Sequence, residues 1–385
     1  MKRIYLDNAA TSFPKPPSVS RAVTTAIEKL GGNPGRSSHA LAREVADAVF
    51  DTREAIANLF GGKAERVVFT ASATQALNIA IHGLIPKNSH ILISNIEHNA
   101  VLRPVAALSE QGTTYSIYQS FGRTQQDIAP ILASLEKALR PNTRAIIACH
   151  RSNVLPIELP LEAIGAFAKE HRLHFIVDAS QSAGSCEINM EKACISALCA
   201  PFHKGLFGIR GGGFVLFGNG LPSQAIAPLI TGGSGSDSQS ITMPNELPER
   251  LEAGTLPVEA ILSLRAGIAY INEIGLHTIR QKEESLAAYM RSRMLSLPSL
   301  QLYMANRQGG SVVLFNLRDR MPSEVAAELD RHGIALREGL HCAPFAHRLS
   351  GTLSRGALRA SVGYFNTKDE IDHLIDSLKQ IRQKQ

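Results

Sequence analysis

Residues 173–213 read LHFIVDASQSAGSCEINMEKACISALCAPFHKGLFGIRGGG, and this stretch decides the fold. Its first apolar run, His174 to Ala179, is short and rich in β-branched and aromatic residues, which predicts a buried strand delivering Asp178 at its end. A second apolar run, Ile195 to Ala200, leads almost directly into Lys204. Two adjacent strands would therefore hold one carboxylate and one amine over the same cleft.

This acid and this amine suit the chemistry of pyridoxal 5'-phosphate (PLP). A lysine binds the aldehyde of this cofactor covalently, and an aspartate keeps the ring nitrogen protonated so that the ring acts as an electron sink. A simpler explanation is an ordinary Asp at a strand end and a surface Lys, because both are common. Other segments of the chain must decide between the two.

Three further segments carry motifs of one family: YLDNAATSFPKP at 5–16, ALREGLHCAPFAHRLSG at 335–351 and LRASVGYFNT at 358–367. With these motifs the chain resembles the class V aminotransferase family of fold-type I PLP enzymes, and within it the group II cysteine desulfurases and the related selenocysteine lyases. The resemblance covers nearly the whole length.

Strand and helix signals alternate along the first two thirds of the chain. Runs typical of strands at 66–70, 90–94 and 144–149 each precede a run typical of a helix, which predicts an α/β fold with a parallel sheet covered on both faces. The resemblance implies a large PLP-binding domain at 15–255 with a mainly parallel seven-stranded sheet. It also implies a smaller α+β domain made of an N-terminal arm, 1–14, and a C-terminal lobe, 256–385.

Composition narrows the function classes. The chain has 385 residues, 44% of them hydrophobic, and a net charge of +6 without a long basic run, so nucleic acid is not an expected partner. No apolar run approaches the ~20 residues of a membrane span, and the N-terminus shows no export signal, so we expect a cytoplasmic protein. The five cysteines form no CxxC pair, and no metal site is predicted. We expect four of the cysteines to be buried and inert: Cys149, Cys186, Cys194 and Cys199.

Ser72, Ala73 and Thr74 open a predicted helix directly after a strand. Free N–H groups and the dipole at such a helix start attract a phosphate, although an ordinary N-cap explains the same residues. The resemblance implies that Thr74 contacts the PLP phosphate and that His203 does so too.

The resemblance also implies contacts to the rest of the cofactor. His98 would stack on the ring and assist proton transfer, while Asn153 and Gln181 would reach its phenolic oxygen. Thr255, in the sequence EAGT, matches the residue that reaches the phosphate of a neighbouring subunit. The expected functional unit is therefore a homodimer whose active sites are built from two chains.

Cys342 lies in the most discriminating motif. Desulfuration needs a thiolate that attacks the substrate sulfur and keeps it as a persulfide. We expect Arg337 and His341 to supply cationic neighbours to Cys342, since both are close in sequence. The alternative is a loop cysteine without a function.

Four residues are predicted to contact the substrate besides Asn153. Arg359 would clamp the carboxylate with its rigid donor fork, and Arg337 would assist it. Arg36 and His39 lie where desulfurases place polar groups near the substrate, although a helix-capping loop explains them equally well.

Two residues depart from the family pattern. Pro201 stands where a hydroxyl residue is usual, and Phe202 stands where glycine normally gives room. Weaker or rearranged phosphate binding is the expected consequence.

These observations predict a PLP-dependent cysteine desulfurase. It would convert L-cysteine to L-alanine, with Lys204 and His98 moving the α-proton and Cys342 passing sulfur to an acceptor protein. A selenocysteine lyase and a class V aminotransferase remain open alternatives. So does a degenerate PLP-fold protein acting as a sulfur relay or binding partner, which Pro201 and Phe202 would favour.

Overall fold

The computed structural model describes residues 3–35, 39–122, 127–236, 239–307 and 309–383. The strands, numbered in chain order, are β1 (Ile4–Tyr5), β2 (Val67–Thr70), β3 (His90–Ser94), β4 (Thr114–Tyr118), β5 (Thr143–Cys149), β6 (His174–Asp178), β7 (Ala197–Pro201), β8 (Gly213–Phe217), β9 (Leu300–Leu302), β10 (Val312–Leu317), β11 (Ile334–Ala335), β12 (Arg337–Gly339) and β13 (Ala357–Ser361). The helices are α1 (Pro17–Lys29), α2 (Ala40–Phe60), α3 (Ala73–Leu84), α4 (Asn99–Ser109), α5 (Ala129–Ala138), α6 (Leu161–Glu170), α7 (Val258–Ile274), α8 (Leu276–Leu295), α9 (Pro322–Arg331), α10 (Pro344–Leu349) and α11 (Lys368–Gln383).

A seven-stranded sheet in the order β2-β8-β7-β6-β5-β3-β4 forms the centre of the molecule. Its strands pair in parallel from β7 to β4, while β8 runs antiparallel to both β7 and β2. The predicted α/β class with a mainly parallel seven-stranded sheet is confirmed.

Side chains of the sheet alternate between two hydrophobic cores. Along β6, Phe175 and Val177 join the core on one face, and Ile176 joins the core on the other. The same alternation holds in β8, where Phe214 and Leu216 oppose Val215 and Phe217. Because successive residues of a strand point to opposite faces, a continuous apolar run is what a sheet covered on both sides requires.

The order of the central strands places the site. β6 and β7 are parallel neighbours, with Asp178 opposite Cys199, and β5 lies on the other side of β6. The carboxyl ends of these strands meet at one edge of the sheet, where ligands of such folds bind. As predicted, the carboxylate of Asp178 and the amine of Lys204 emerge side by side at this edge.

A smaller four-stranded antiparallel sheet, β12-β13-β10-β9, lies in the C-terminal part of the chain. The N-terminal arm joins this part, since β1 pairs in parallel with β11 and Ile4 and Leu6 are buried in the same core. Helix α11 covers the small sheet. Thr367 and Glu370 cap its start reciprocally.

Helix α7 packs with the core of the large sheet, although the predicted domain boundary assigns it to the smaller domain. Along α8, Ile279 belongs to the large core and Leu286 to the small one. The boundary at residue 255 stays a prediction. Among the described helices, none is long and apolar enough to cross a membrane.

Candidate active site

A cleft of about 520 Å³ opens at the carboxyl edge of the large sheet. Four residues predicted to hold a phosphate line it: Ser72, Ala73, Thr74 and His203. Five residues predicted to surround the cofactor ring line it as well: His98, Asn153, Asp178, Gln181 and Lys204. The structure thus brings together nine predicted residues from five separate segments.

Asp178 is buried at the end of β6, and its Oδ1 accepts a hydrogen bond from the Ser180 N–H at 2.9 Å. Lys204 follows the end of β7 and is half-buried in the cleft. Burial lowers the pKa of Lys204, nearby Asp178 opposes this effect, and Arg359 and Arg337 add to it. A lowered pKa favours the neutral amine, which is the form that attacks an aldehyde.

The start of α3 offers free N–H groups to the cleft. Ser72 is the N-cap, and its Oγ accepts from the Gln75 N–H at 3.2 Å. The N–H groups of Ala73 and Thr74 have no acceptor among the described residues, as expected for the first turn of a helix. Gly213 of β8 lets the two elements approach, because a Cβ there would stand 2.5 Å from the backbone carbon of Ser72.

His203 is held by the N-terminal arm. Its backbone oxygen accepts hydrogen bonds from Lys15 Nζ at 2.7 Å, Thr11 Oγ1 at 3.0 Å and the Ser12 N–H at 3.1 Å. Burial, together with the nearby charges of Lys204 and Lys15, lowers the pKa of the ring to about 4. Its Nδ1 is buried without a hydrogen-bond partner among the described residues, although it borders the cleft.

His98 is the N-cap of α4, and its Nδ1 accepts from the Ala100 N–H at 3.0 Å. Burial lowers the pKa of His98, although Asp178 opposes the shift. A neutral ring whose Nδ1 is an acceptor carries its proton on Nε2. His98 therefore presents an N–H donor at Nε2.

The amides of Asn153 and Gln181 are fixed from outside the cleft. Asn153 Nδ2 donates to the His341 carbonyl at 2.9 Å, and Gln181 Nε2 donates to the Ala9 carbonyl at 2.9 Å. Asn153 Oδ1 is buried and has no partner among the described residues. Each amide nitrogen keeps a second hydrogen for a ligand.

These donors fit PLP. The orphaned Nδ1 of His203 and the free N–H groups of Ala73 and Thr74 match a phosphate, and Asp178 matches a ring nitrogen that must stay protonated. Lys204, with its lowered pKa, matches the aldehyde.

Cys342 is exposed on the turn between β12 and α10. His341 and Cys342 both have positive φ values, 50° and 55°, a conformation that costs a residue other than glycine roughly 1–2 kcal/mol. Two bonds tie the turn to the cleft: the Asn99 N–H donates to the Cys342 carbonyl at 2.7 Å, and Asn153 Nδ2 holds the His341 carbonyl. The predicted sulfur carrier therefore lies on a turn that is bonded to a cleft residue, Asn153, and to the neighbour of another, His98.

The expectation that His341 is a cationic neighbour of Cys342 is wrong. The His341 ring is buried, and burial, with Arg359 nearby, lowers its pKa to about 2. Its two nitrogens contact His347 Nε2 at 3.0 Å and the Arg337 carbonyl at 3.3 Å. The ring is therefore neutral and is bonded to groups inside the fold.

Arg359 and Arg337 are opposite each other on β13 and β12. Only 1% of Arg359 is exposed, its Nη1 donates to the Asn153 carbonyl at 3.0 Å, and its Nη2 pairs with Asp7 of the arm. The Nε–H of Arg359 has no partner among the described residues. Neither arginine is among the residues lining the cleft, and binding of the substrate carboxylate by them stays a prediction.

Two other predicted residues do not line the cleft of this chain, and a third lies outside the described residues. Thr255 is exposed between the large sheet and α7. His39 is an exposed N-cap of α2, and its Nδ1 accepts from the Ala42 N–H at 3.1 Å, so the capping alternative describes it here. Arg36 lies outside the described residues.

The two departures from the family pattern have different outcomes. Pro201 lines the cleft. The ring of Phe202 has no exposed surface and packs edge-on against Phe69, with the ring centroids 6.0 Å apart. Gly212 leaves space for this ring, because a Cβ at that position would stand 2.1 Å from it. Phe202 thus fills the core and does not line the cleft.

Sequence reasoning missed Cys149 and Glu97 as parts of the site. Cys149, predicted to be an inert thiol, is buried but lines the cleft opposite Asp178, and burial raises its pKa well above the ordinary value. Glu97 lies under the same edge, and its Oε1 accepts a hydrogen bond from the Cys149 N–H. The only signal in the sequence was their position at the ends of predicted strands.

Comparisons with known proteins agree with this geometry. A cysteine desulfurase of Klebsiella pneumoniae (strain 342) is 32% identical over 390 residues, which cover 98% of this chain and 93% of that protein. A probable cysteine desulfurase of Methanothermobacter thermautotrophicus is 29% identical over 382 residues, or 98% and 94% of the two chains.

Solved structures give the same result. The apo structure of a cysteine desulfurase from Thermococcus onnurineus NA1 superposes with a TM-score of 0.88 at 29% identity, covering 100% of this chain and 95% of that one. The cysteine desulfurase CsdA from Escherichia coli gives 0.86 at 25% identity, with coverage of 99% and 95%. These relatives are PLP enzymes of fold type I, so the predicted fold class is confirmed. The family pattern described as Aminotransferase class-V matches residues 4–374, and the chain therefore belongs to the class V aminotransferase family.

Proposed function

We propose that this protein is a PLP-dependent cysteine desulfurase that converts L-cysteine to L-alanine and holds the sulfur on Cys342. One observation carries the proposal. The turn bearing Cys342 is hydrogen-bonded to Asn153, in the wall of the same cleft that contains Lys204 and Asp178.

PLP, when bound, supplies an electron sink that stabilises negative charge at the substrate α-carbon. Lys204 would hold its aldehyde, and Asp178 would keep its ring nitrogen protonated. The phosphate would lie at the start of α3, where the N–H groups of Ala73 and Thr74 and the Nδ1 of His203 are free to bind it. Asn153 and Gln181 each have an amide hydrogen left for the phenolic oxygen.

Lys204 can move the α-proton, and His98 can assist it. Lys204 has a lowered pKa and is neutral for part of the time, so it can accept a proton at Nζ. His98 has its Nδ1 fixed by the Ala100 N–H, so its Nε2 carries the ring proton and can assist the transfer as a hydrogen-bond donor. Arg359 would bind the carboxylate through its spare donors, with Asp7 setting the orientation of the guanidinium.

Cys342 would complete the reaction as a nucleophile. Its Sγ attacks the substrate sulfur, and the new S–S bond forms as the Cβ–S bond of the substrate breaks. The electron pair left on the carbon skeleton takes up a proton, and alanine leaves. The persulfide on an exposed turn is then open to an acceptor protein.

Assembly and location belong to the same proposal. Thr255 is exposed and does not line this chain's own cleft, which supports a homodimer in which it reaches the partner's phosphate. We place the enzyme in the cytoplasm, as its sequence predicts.

The degenerate-relay alternative rests on Pro201 and Phe202. Pro201 lines the cleft, but the Phe202 ring packs away from it, and nine residues predicted to bind the cofactor line it as well, which favours the enzyme. A selenocysteine lyase and an aminotransferase would use the same cleft, and Cys342 is the group that separates them from a desulfurase.

The test is Cys342→Ala, with Cys194→Ala as a matched thiol control. We expect Cys342→Ala to bind PLP normally, to show the change in cofactor absorption when L-cysteine is added, and to lose about a hundredfold or more in sulfide release. Cys194 is half-buried and does not line the cleft, so its variant should match the wild type. Mass spectrometry of the wild type should find the added sulfur on Cys342.

Full sulfide release by Cys342→Ala would refute the mechanism. Retained release of selenide from selenocysteine by that variant would identify a lyase. Turnover that needs a 2-oxo acid would identify an aminotransferase.

A further inference from the structure

We propose that His347 is a positioning residue for Cys342, acting through the ring of His341. The inference rests on the proposed function and extends it to a residue outside the cleft. His347 lies on α10, is fully buried, and is five positions beyond Cys342 in the chain.

A line of hydrogen bonds runs from Thr352 to the Cys342 turn. Thr352 Oγ1 is 2.7 Å from His347 Nδ1, His347 Nε2 is 3.0 Å from His341 Nδ1, and His341 Nε2 is 3.3 Å from the Arg337 carbonyl. The planes of the two rings are nearly parallel, at 9°, and the ring centroids are 5.2 Å apart.

The acceptor at the end of this line, the Arg337 carbonyl, determines the tautomers of both rings. A carbonyl only accepts, so His341 carries its proton on Nε2 and its Nδ1 must receive a hydrogen bond. His347 therefore carries its proton on Nε2, and its Nδ1 accepts from the Thr352 hydroxyl. Each ring is neutral, and each nitrogen has one defined role.

This arrangement fixes the residue that precedes Cys342. The turn places two residues other than glycine at positive φ, so it needs anchors on both sides. Asn99 and Asn153 hold the two carbonyl groups of the turn, while His347 holds the His341 side chain. Cys342 itself is exposed, so its direction depends on these backbone and neighbour contacts.

Loss of His347 should affect one step of the reaction and not the others. His347 does not line the cleft, so its loss should leave cofactor and substrate binding intact. Only the step that needs Cys342 at the substrate sulfur should slow, because misplacing a reacting group by about 1 Å costs up to about a hundredfold in rate.

The experiment compares His347→Phe with His90→Phe in the PLP-loaded enzyme. His90 is a matched control: it is fully buried, and its nitrogens contact Thr143 Oγ1 at 2.8 Å and Ser116 Oγ at 2.9 Å, at the other end of the sheet. Persulfide formation on Cys342 in a single turnover should fall ten- to about a hundredfold in His347→Phe. The KM for L-cysteine and the cofactor absorption change should stay at wild-type values, and His90→Phe should keep the wild-type rate.

Two further variants guard against misfolding. His347→Gln keeps an N–H donor for His341 and should recover the rate to within about threefold of wild type. Thr352→Val removes only the terminal hydroxyl and should give a smaller loss of the same kind. Equal losses in His347→Phe and His90→Phe, or a failed rescue by His347→Gln, would overturn the proposal.

A readout independent of turnover separates this inference from the proposed function. The Asn99 N–H bonds the Cys342 carbonyl, so its hydrogen exchange should speed by about tenfold in His347→Phe and not in His90→Phe. Unchanged exchange would refute the positioning role even in an active desulfurase. If Cys342→Ala keeps full activity while exchange responds as expected, the proposed function fails and the positioning of the turn stands.

Discussion

Glu97 has no exposed surface, and its Oε1 accepts hydrogen bonds from Ser94 Oγ and from the Cys149 N–H at 2.7 Å. Its Oε2 is buried without a partner among the described residues. Burial raises the pKa of Glu97 from 4.5 to about 8, and nearby Asp178 adds to the effect. The side chain is therefore a neutral acid at pH 7, and it leaves Asp178 as the carboxylate of the site.

Glu97→Gln should remove a loss of folding stability that grows as the pH rises. The folded pKa lies above the unfolded one, so the wild type loses stability as pH rises from about 4.5 to 8, where only the unfolded chain ionises. The glutamine does not ionise, so the free energy of unfolding of the variant, relative to wild type, should rise on the order of 4 kcal/mol across this window. Urea unfolding at several pH values measures it, and a pH-independent difference would contradict the assignment.

The sequence predicted the cleft residues that follow strands. It did not predict the charge of His341, which lies beside Cys342 on the turn. Asp178 and Lys204 are placed by two apolar runs, so their positions follow from strand pairing. His341 precedes Cys342 directly, yet positive φ at both residues directs its ring to His347 inside the fold. Neighbours in sequence give no information on such a turn, because its direction depends on tertiary contacts.

Helix α3 and strand β8 meet at the phosphate end of the cleft. The backbone of Ser72 and Ala73 lies so close to Gly213 that a Cβ would stand 2.5 Å and 2.7 Å from their carbon and nitrogen atoms. The close approach holds the first turn of α3 at the cleft, where its free N–H groups face a ligand.

Gly213→Ala should therefore weaken PLP binding. The backbone of α3 cannot yield as a flexible side chain would, so its first turn must shift and its N–H groups lose their alignment. We expect the Kd for PLP to rise about tenfold or more, the equivalent of about 1.4 kcal/mol. Gly220→Ala is the control, since nothing lies within 4 Å of a Cβ there. Equal affinity in the two variants, measured by absorption titration, would show that α3 does not hold the phosphate.

Elements with a buried face were easier to predict than exposed ones. The runs that became β2, β3, β5, β6 and β7 are continuous and apolar, because both faces of the sheet are covered. No prediction covered β4, an edge strand whose Tyr115 and Ile117 are exposed, so that it has no continuous buried apolar run. The sequence predicts weaker or rearranged phosphate binding from Phe202, because the residue that gives its ring room in the core, Gly212, is close to it only in the folded chain.

Across the whole molecule, a buried ionic network joins the large sheet to α8. Glu158 Oε2 accepts from Arg151 Nη2 at 2.5 Å, and its Oε1 accepts from Arg280 Nη1 at 3.2 Å. Arg151 also pairs with Glu284 of α8 at 3.3 Å. Because Arg151 is two residues from Asn153, this network connects the cleft wall to the helix that passes from the large core to the small one.

Glu158→Gln should destabilise the protein by about 3–5 kcal/mol at pH 7, because it leaves the buried charge of Arg151 poorly compensated. Burial alone would raise the pKa of Glu158, but Arg151 and Arg280 outweigh it and hold the pKa at about 2. A folded pKa below the unfolded value gives stability that is present above pH 4.5 and is lost as pH falls toward 2. The difference in the free energy of unfolding between wild type and variant should therefore decrease as the pH falls over that window.

The control is Glu324→Gln, which removes an exposed pair with Arg320 and should cost less than about 1 kcal/mol of stability. Denaturant unfolding across pH measures both variants, and a gap that widened on acidification would mean that Glu158 is not the carboxylate that keeps Arg151 in the interior.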